Sequence, residues 1–275
     1  MNAVVCITGA ASGLGQALSA EYARRGARLL LADKNQEGLY SWADQLRAGG
    51  SEVLAQVCDV TQEQDVESLL LRACQSYGGL DIMINNAGVA VAGPVSDVPM
   101  SDWRWVMDIN LFGVVHGCRA AARIMQAQGH GQIINIASMA GLLNPPEMAA
   151  YNASKAAVLS LSESLAAELA HQGIKVLVVC PGFFSTGLGR SLRSTRAHTG
   201  AALEKLMQAS QIDAKDIAKA IVAAAERGEP ILLPHAEGRR FWRVKRWWPQ
   251  LFARRMQEMG RRMAQKAKKG SVEHA

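Results

Sequence analysis

A short apolar run, Val4-Val5-Cys6-Ile7, flows into Thr8-Gly9-Ala10-Ala11-Ser12-Gly13-Leu14-Gly15 and then into the helical pattern Ala17, Leu18, Tyr22, Ala23. An apolar run of this length reads as a buried strand. Strand, glycine turn and helix in direct succession is the context in which N–H groups at a helix start receive a pyrophosphate, the glycines letting the main chain approach it. Six further apolar runs follow: Leu29-Leu30-Leu31-Ala32, Val53-Leu54-Ala55, Ile82-Met83-Ile84, Ile133-Ile134-Asn135-Ile136, Val176-Leu177-Val178-Val179 and Ile231-Leu232-Leu233. Helical stretches separate them. Continuous apolar strands alternating with helices predict a parallel sheet covered on both faces, and 275 residues at 49% hydrophobic content suit one α/β domain of this kind.

Tyr151 and Lys155 stand four apart in Tyr-Asn-Ala-Ser-Lys. On a helix this spacing puts both side chains on one face, one turn apart. A phenol titrates near about pH 10, whereas a general base works best near the ambient pH, roughly three units lower. Three units correspond to about 4 kcal/mol, and a cation about 4 Å away at an effective dielectric of about 20 supplies that much. The pair alone also fits an ordinary ion-and-phenol contact on a helix surface.

Taken in order, Thr-Gly-x-x-x-Gly-x-Gly, Asn85-Asn86-Ala87-Gly88, Ser138, Tyr-x-x-x-Lys and Pro181-Gly182 make residues 1 to about 235 resemble the short-chain dehydrogenase/reductase family. The resemblance implies a Rossmann-type doubly wound parallel sheet of about seven strands and a nicotinamide cofactor. It implies catalysis by Asn110, Ser138, Tyr151 and Lys155: Ser138 orients a carbonyl oxygen, Tyr151 transfers the proton, and Lys155 lowers the tyrosine pKa and holds the nicotinamide ribose. Asn110, on a predicted helix, would hold a water linking the lysine to solvent.

Cofactor contacts are expected at Gly9, Ser12, Gly13, Leu14 and Gly15, and at Asp59-Val60, where relatives hold the adenine amino group. They are expected also at Asn86 and Gly88, at Tyr151 and Lys155, and at Pro181, Gly182 and Thr186 by the nicotinamide carboxamide. Asn85 is expected to be structural. Asp33, twenty-four residues beyond Gly9, can accept from both ribose hydroxyls of NAD and repels the 2′-phosphate of NADP. Ser12 is not the basic residue that NADP-preferring relatives often carry there. NAD is favoured; Lys34 keeps NADP open, and Asp33 could instead cap the next helix.

Met139, Leu142, Leu143, Met148, Phe183, Phe184 and Leu188 are candidate substrate walls and suggest a hydrophobic alcohol or ketone: long-chain, steroid-like or 3-oxoacyl. Arg190, Arg193 and Arg196 could meet a phosphate of a carrier or form a solvated basic face. Cys6, Cys58, Cys74, Cys118 and Cys180 show no Cys-x-x-Cys spacing and read as reduced thiols, and no histidine pair has ligand spacing, so no metal is expected. The first strand begins within four residues of Met1, and no apolar stretch reaches the roughly 18 residues of a membrane span. A cytoplasmic homodimer or homotetramer is expected.

Charge divides the chain. Residues 239–275 carry twelve Lys/Arg and two Glu, net +10, whereas the other 238 residues carry 18 basic and 22 acidic side chains, net −4. A catalytic domain over 1–238 and a basic, aromatic-rich extension over 239–275 are therefore expected. The extension holds Trp242, Trp247 and Trp248 among arginines, then an apolar stripe Phe252, Met256, Met259, Met263. Three partners remain open for it: an anionic membrane surface on the cytoplasmic side, its own domain or a second subunit, and, less favoured, nucleic acid. An NAD(P)(H)-dependent oxidoreductase leads; a non-catalytic nucleotide sensor or a membrane- or nucleic-acid-attached scaffold on the same fold is the alternative, against which the four catalytic positions argue.

Overall fold

The computed structural model describes residues 2–182, 184, 189, 191–196 and 212–272, with side chains up to residue 265. Seven strands form one sheet: β1 Val4–Thr8, β2 Arg28–Asp33, β3 Val53–Val57, β4 Ile82–Asn85, β6 Gly131–Ile136, β7 Ile174–Val179 and β9 Ile231–Leu232. The remaining two, β5 Val91–Ala92 and β8 Arg193–Ser194, pair separately as a parallel ribbon that the sequence did not announce. The main sheet has the order β3-β2-β1-β4-β6-β7-β9, and its pairings are parallel. The expected seven-stranded doubly wound sheet is therefore present.

Period-two alternation explains why each strand is apolar throughout. Val4, Cys6, Leu30, Ile133, Val176 and Val178 enter one core cluster, and their neighbours Val5, Ile7, Leu29, Leu31, Ile134 and Leu177 enter the other. The first face is covered by α3 Glu63–Tyr77, α5 Gly113–Gln128 and α7 Ala149–Leu169, the second by α1 Gly13–Arg24, α2 Gln36–Ala48 and α8 Ala214–Arg227. Strand order reverses between β1 and β4, and the crevice beyond their carboxyl ends is where open α/β sheets bind ligands.

Between α4 Met100–Met107 and α5 the helix does not continue as α-helix: Asp108–Phe112 form a π-helical turn, a form concentrated at functional sites. Asn110 lies in it, so the helix expected there is interrupted at that residue. A short helix, α6 Met139–Leu143, follows β6, and Gly141 lets it approach α7 closely: a Cβ at 141 would lie 2.6 Å from the Lys155 carbonyl carbon.

The extension forms two helices, α9 Ala236–Trp247 and α10 Pro249–Val272, so the boundary expected after Gly238 falls inside a helix. Both pack on the domain. Gly238 is buried with Met139 against it, Trp242 packs on the core, Lys245 Nζ donates to the Leu142 carbonyl, and Phe252 is 7% exposed. Burial costs the Lys245 ammonium solvation and lowers its pKa. The start of the apolar stripe, Phe252 and Met256, thus turns toward its own chain. Among the described residues, no helix is long and apolar enough to cross a membrane.

Candidate active site

One cleft of about 1540 Å³ runs from the glycine turn to the extension. Sites for one drug-sized ligand span roughly 300–1,000 Å³, so this cleft has room for a dinucleotide and a second molecule. At its inner end, Gly9 has φ +66°, and a Cβ there would fall 2.8 Å from Ala87 Cα. Gly15 lies outside the cleft lining and serves packing instead: its Cβ would meet the Gly9 carbonyl oxygen at 2.1 Å. Ser12 is the N-cap of α1 but makes no side-chain cap bond. Among the described residues the Gly13 and Leu14 N–H groups have no protein acceptor, whereas Gly15 N–H returns to the Ser12 carbonyl. Free N–H groups at a helix start, reached over a main chain without side chains, fit a pyrophosphate.

Asp33 accepts the Ala11 N–H on Oδ2 at 3.0 Å and the Asn35 N–H on Oδ1 at 2.9 Å. It does not cap α2; the side chain of Asn35 does, accepting from Gly38 N–H. Each Asp33 oxygen keeps a lone pair for a ribose hydroxyl. Asp59 Oδ1 takes the Thr61 N–H and hydroxyl at 3.0 and 2.9 Å, leaving Oδ2 without a partner among the described residues. Asp59, Val60, Asn86 and Gly88 line the cleft. The Asn86 amide is spent on structure, donating to the carbonyls of Thr8 and Gly9 at 2.9 and 3.0 Å, which ties the ends of β1 and β4 together. Asn85 is buried and donates to Asn135 Oδ1, whose own amide donates to Ser162 on α7. These residues fit a nicotinamide dinucleotide.

Ser138, Tyr151 and Lys155 meet in the middle of the cleft. Ser138 caps α6, its Oγ accepting the Ala140 N–H at 3.1 Å, and its hydroxyl donates to the Pro181 carbonyl at 3.5 Å, a long bond that holds the proton loosely. Tyr151 and Lys155 are 6% and 4% exposed, and Lys155 Nζ donates to the Ile136 carbonyl at 2.9 Å. Burial raises the Tyr151 pKa, and the Ser138 hydroxyl partly opposes the rise. Burial also lowers Lys155 to about 8. The lowering of the tyrosine by Lys155 expected from the spacing is therefore not what this pocket does by itself. Desolvation acts on both groups, and the ammonium is turned to a carbonyl.

Asn110 does not line the cleft. Its Oδ1 accepts the Val89 N–H and its amide donates to the Val89 carbonyl and to Ser154 Oγ, at 2.9, 2.9 and 3.1 Å. Ser154 Oγ in turn donates to the Tyr151 carbonyl at 2.8 Å. Both amide hydrogens are spent on protein, which makes Asn110 a brace under the turn carrying Tyr151. Its amide thus has no hydrogen left for the water-holding role implied by the resemblance.

Pro181 and Gly182 line the cleft, while Thr186, Phe183, Leu188 and Arg190 lie outside the described residues. Of the expected apolar walls, Met139, Leu143, Met148 and Phe184 are lining; Leu142 is buried in the core. Arg193 stacks 3.7 Å over Trp105 and pairs with Asp102, and Arg196 pairs with Glu147, each ion pair at 2.8 Å. Those two guanidinia are held by carboxylates and do not await a phosphate.

Two groups of lining residues escaped the sequence. His235 accepts the Gly182 N–H on Nδ1 at 3.0 Å, which places the proton of a neutral ring on Nε2. Phe241, Phe252, Met256 and Met259 bring the extension into the cleft wall. The helical stripe of the last three was visible, but a stripe does not name the surface it covers.

Fold and site define a dinucleotide-binding oxidoreductase of the doubly wound class. Residues 3–197 match the family model of short chain dehydrogenases, and the chain belongs to that family. It is 39% identical over 188 residues to a CLA biosynthesis dehydrogenase/reductase of Lactiplantibacillus plantarum, covering 67% of this chain and 66% of that protein. An uncharacterised oxidoreductase of Staphylococcus aureus is 34% identical over 221 residues, 80% of this chain and 90% of the relative. A Burkholderia phymatum short-chain dehydrogenase/reductase solved with NAD superposes with a TM-score of 0.87 at 33% identity, covering 91% of this chain and 95% of that one. A Streptomyces avermitilis short-chain dehydrogenase gives 0.82 at 27%, covering 95% and 98%.

Proposed function

We propose that the protein is an NAD(H)-dependent oxidoreductase interconverting a secondary alcohol and a ketone on a hydrophobic molecule. The observation that carries this reading is the convergence of Ser138, Tyr151 and Lys155 in one cleft with the unsatisfied N–H groups of Gly13 and Leu14. NAD, when bound, accepts or supplies hydride at nicotinamide C4. Ser138 donates its hydroxyl proton to the substrate oxygen and orients it. The Tyr151 phenol gives a proton to that oxygen in reduction and, as phenolate, takes it in oxidation. Lys155, whose ammonium donates to the Ile136 carbonyl, would hold the cofactor ribose and supply the positive charge that favours the phenolate. Asn110 braces the Tyr151 turn, and Thr186 belongs to the nicotinamide side on the family pattern.

Asp33 supports NAD over NADP, since a 2′-phosphate would sit against its carboxylate; the NAD bound to the Burkholderia relative agrees with this. The apolar outer wall of Met139, Leu143, Met148, Phe252 and Met256 supports a lipophilic substrate. A catalytic domain over 1–238 with an extension that completes the substrate wall, working in the cytoplasm as a homodimer or homotetramer, fits this activity. The experiment is a panel of secondary alcohols and ketones with NAD(H) and NADP(H), run on wild type and Tyr151→Phe. Turnover on hydrophobic members, falling at least about 1,000-fold in the variant with NADH binding retained, is expected. Wild-type rates in the variant would remove Tyr151 from the chemistry.

A further inference from the structure

The inner faces of α9 and α10 are spent on the domain, yet their outer surface is not an ordinary solvated one. At the elbow between them Trp247 is 71% exposed, Trp248 61% and Leu251 50%. Three large apolar side chains within five residues, on either side of Pro249, are a concentrated exposure that water disfavours. On α9, Arg243 and Arg240 precede Trp247 by four and seven residues, and on α10 Arg254 and Arg255 follow Leu251 by three and four. Helical spacing places each set on the same side as its apolar neighbour. Among the described residues, Arg240, Arg243, Arg246, Arg254, Arg255 and Arg261 have no carboxylate within 4.0 Å; the extension's ion pair is Arg262 with Glu258.

In the rest of the chain, by contrast, described arginines such as Arg25, Arg47, Arg119, Arg123, Arg193 and Arg196 do sit on carboxylates. The extension concentrates net +10 beside a domain of net −4. Aromatic rings amid uncompensated cations match the headgroup layer of an anionic bilayer, where indoles settle at the interface and arginines meet lipid phosphates.

The position of this surface gives it a use. Phe241 and Met259 line the cleft and are themselves 53% and 43% exposed, so the cleft opens at the extension. Phe241 precedes Trp247 by six residues, about 9 Å along the helix. We propose that the α9–α10 elbow docks on an anionic lipid bilayer and turns the outer mouth of the cleft toward a substrate dissolved in the lipid. The identity of that substrate as an alcohol or ketone rests on the oxidoreductase reading; the docking does not.

The test uses the full-length protein and phosphatidylcholine vesicles with and without phosphatidylglycerol. Wild type is expected to sediment with the phosphatidylglycerol vesicles and to be released in part by high salt. The combined variant Trp247→Ser, Trp248→Ser, Leu251→Ser should lower vesicle partitioning at least about tenfold. Glutamine at 240, 243, 254 and 255 should remove the preference for anionic lipid, by about fivefold per charge. Both variants should keep NADH affinity and turnover of a water-soluble ketone, while turnover of a vesicle-partitioned ketone falls with the bound fraction. Three results would overturn the proposal: no sedimentation of wild type, equal sedimentation of wild type and the elbow variant, or binding of single-stranded oligonucleotide without vesicle binding. A drop in the elbow variant's mass by light scattering, with wild type blind to vesicles, would make the elbow a subunit interface instead. Vesicle binding without turnover of any ketone would sink the reading of the active site and leave the docking standing.

Discussion

The two ends of the cleft are built from different material. At the nucleotide end the wall is main chain: Gly9 sits where an added Cβ would fall 2.8 Å from Ala87 Cα, and Gly15 backs that wall from outside the lining, where an added Cβ would meet the Gly9 carbonyl oxygen at 2.1 Å. At the other end the walls are the long side chains of Phe252, Met256 and Met259, carried in by a helix more than a hundred residues further along the chain. A main-chain wall bounded by the sheet has no slack, so it suits a ligand that never changes. A methionine wall has three rotatable bonds per residue and repacks around varied shapes. On the proposed reading, the inner end is rigid for the cofactor and the outer end adaptable for the substrate.

The sharpest way to break the comparison is Gly15→Ala. One methyl at 2.1 Å from a carbonyl must displace the turn, and NADH affinity measured by fluorescence titration should fall at least about 100-fold, with the melting temperature lowered. Unchanged affinity would mean the inner wall is as forgiving as the outer.

Lys155→Met tests the point where the two ends meet. In the folded protein Lys155 titrates near 8 against an ordinary value of 10.5. Between these values the unfolded chain binds more protons, so this group makes stability rise with pH across that window. Wild type should therefore gain on Lys155→Met between pH 7.5 and 10.5 in denaturant titrations, by up to about 3 kcal/mol. A pH-independent difference would show that the ammonium is not desolvated.

Asp33→Ala should weaken NAD and raise the relative kcat/KM for NADP by about tenfold or more, as the like-charge repulsion disappears. A constant ratio would detach Asp33 from the ribose. Met256→Ala should be mildest: KM for a long-chain substrate should shift by less than about tenfold, with NADH affinity untouched. An equal loss of NADH affinity would show that the extension holds the cofactor as well.

What the sequence disclosed divides along the same line. The seven strands were legible because a parallel strand buried on both faces is apolar at every position, and the nucleotide turn because glycine is demanded where no Cβ fits. The Tyr151–Lys155 pair was legible from its helical spacing. Asn110 was visible, but its brace through Val89 and Ser154 was not, since it depends on a loop and a helix that only the fold brings together. His235 gave no local signal at all. The extension's stripe was legible as apolar and helical, whereas the contacts that Lys245 and Phe252 make with the domain depend on the fold and left no mark in the local sequence.

The π-helical turn at Asp108–Phe112 also acts as a phase corrector. Val106 and Val114, both buried, stand on either side of it. Eight residues of uninterrupted α-helix would set them about 80° apart around the axis, and the wider turn takes up part of that angle. The surplus residue thus lets a single continuous rod keep one side toward the core before and after Asn110. Deleting one residue there would leave every side chain chemically unchanged and still rotate Cys118, Ala121 and Met125 away from the core they fill. In this stretch the chain's tolerance is set by residue count before residue type, so length changes in relatives should be rarer here than substitutions.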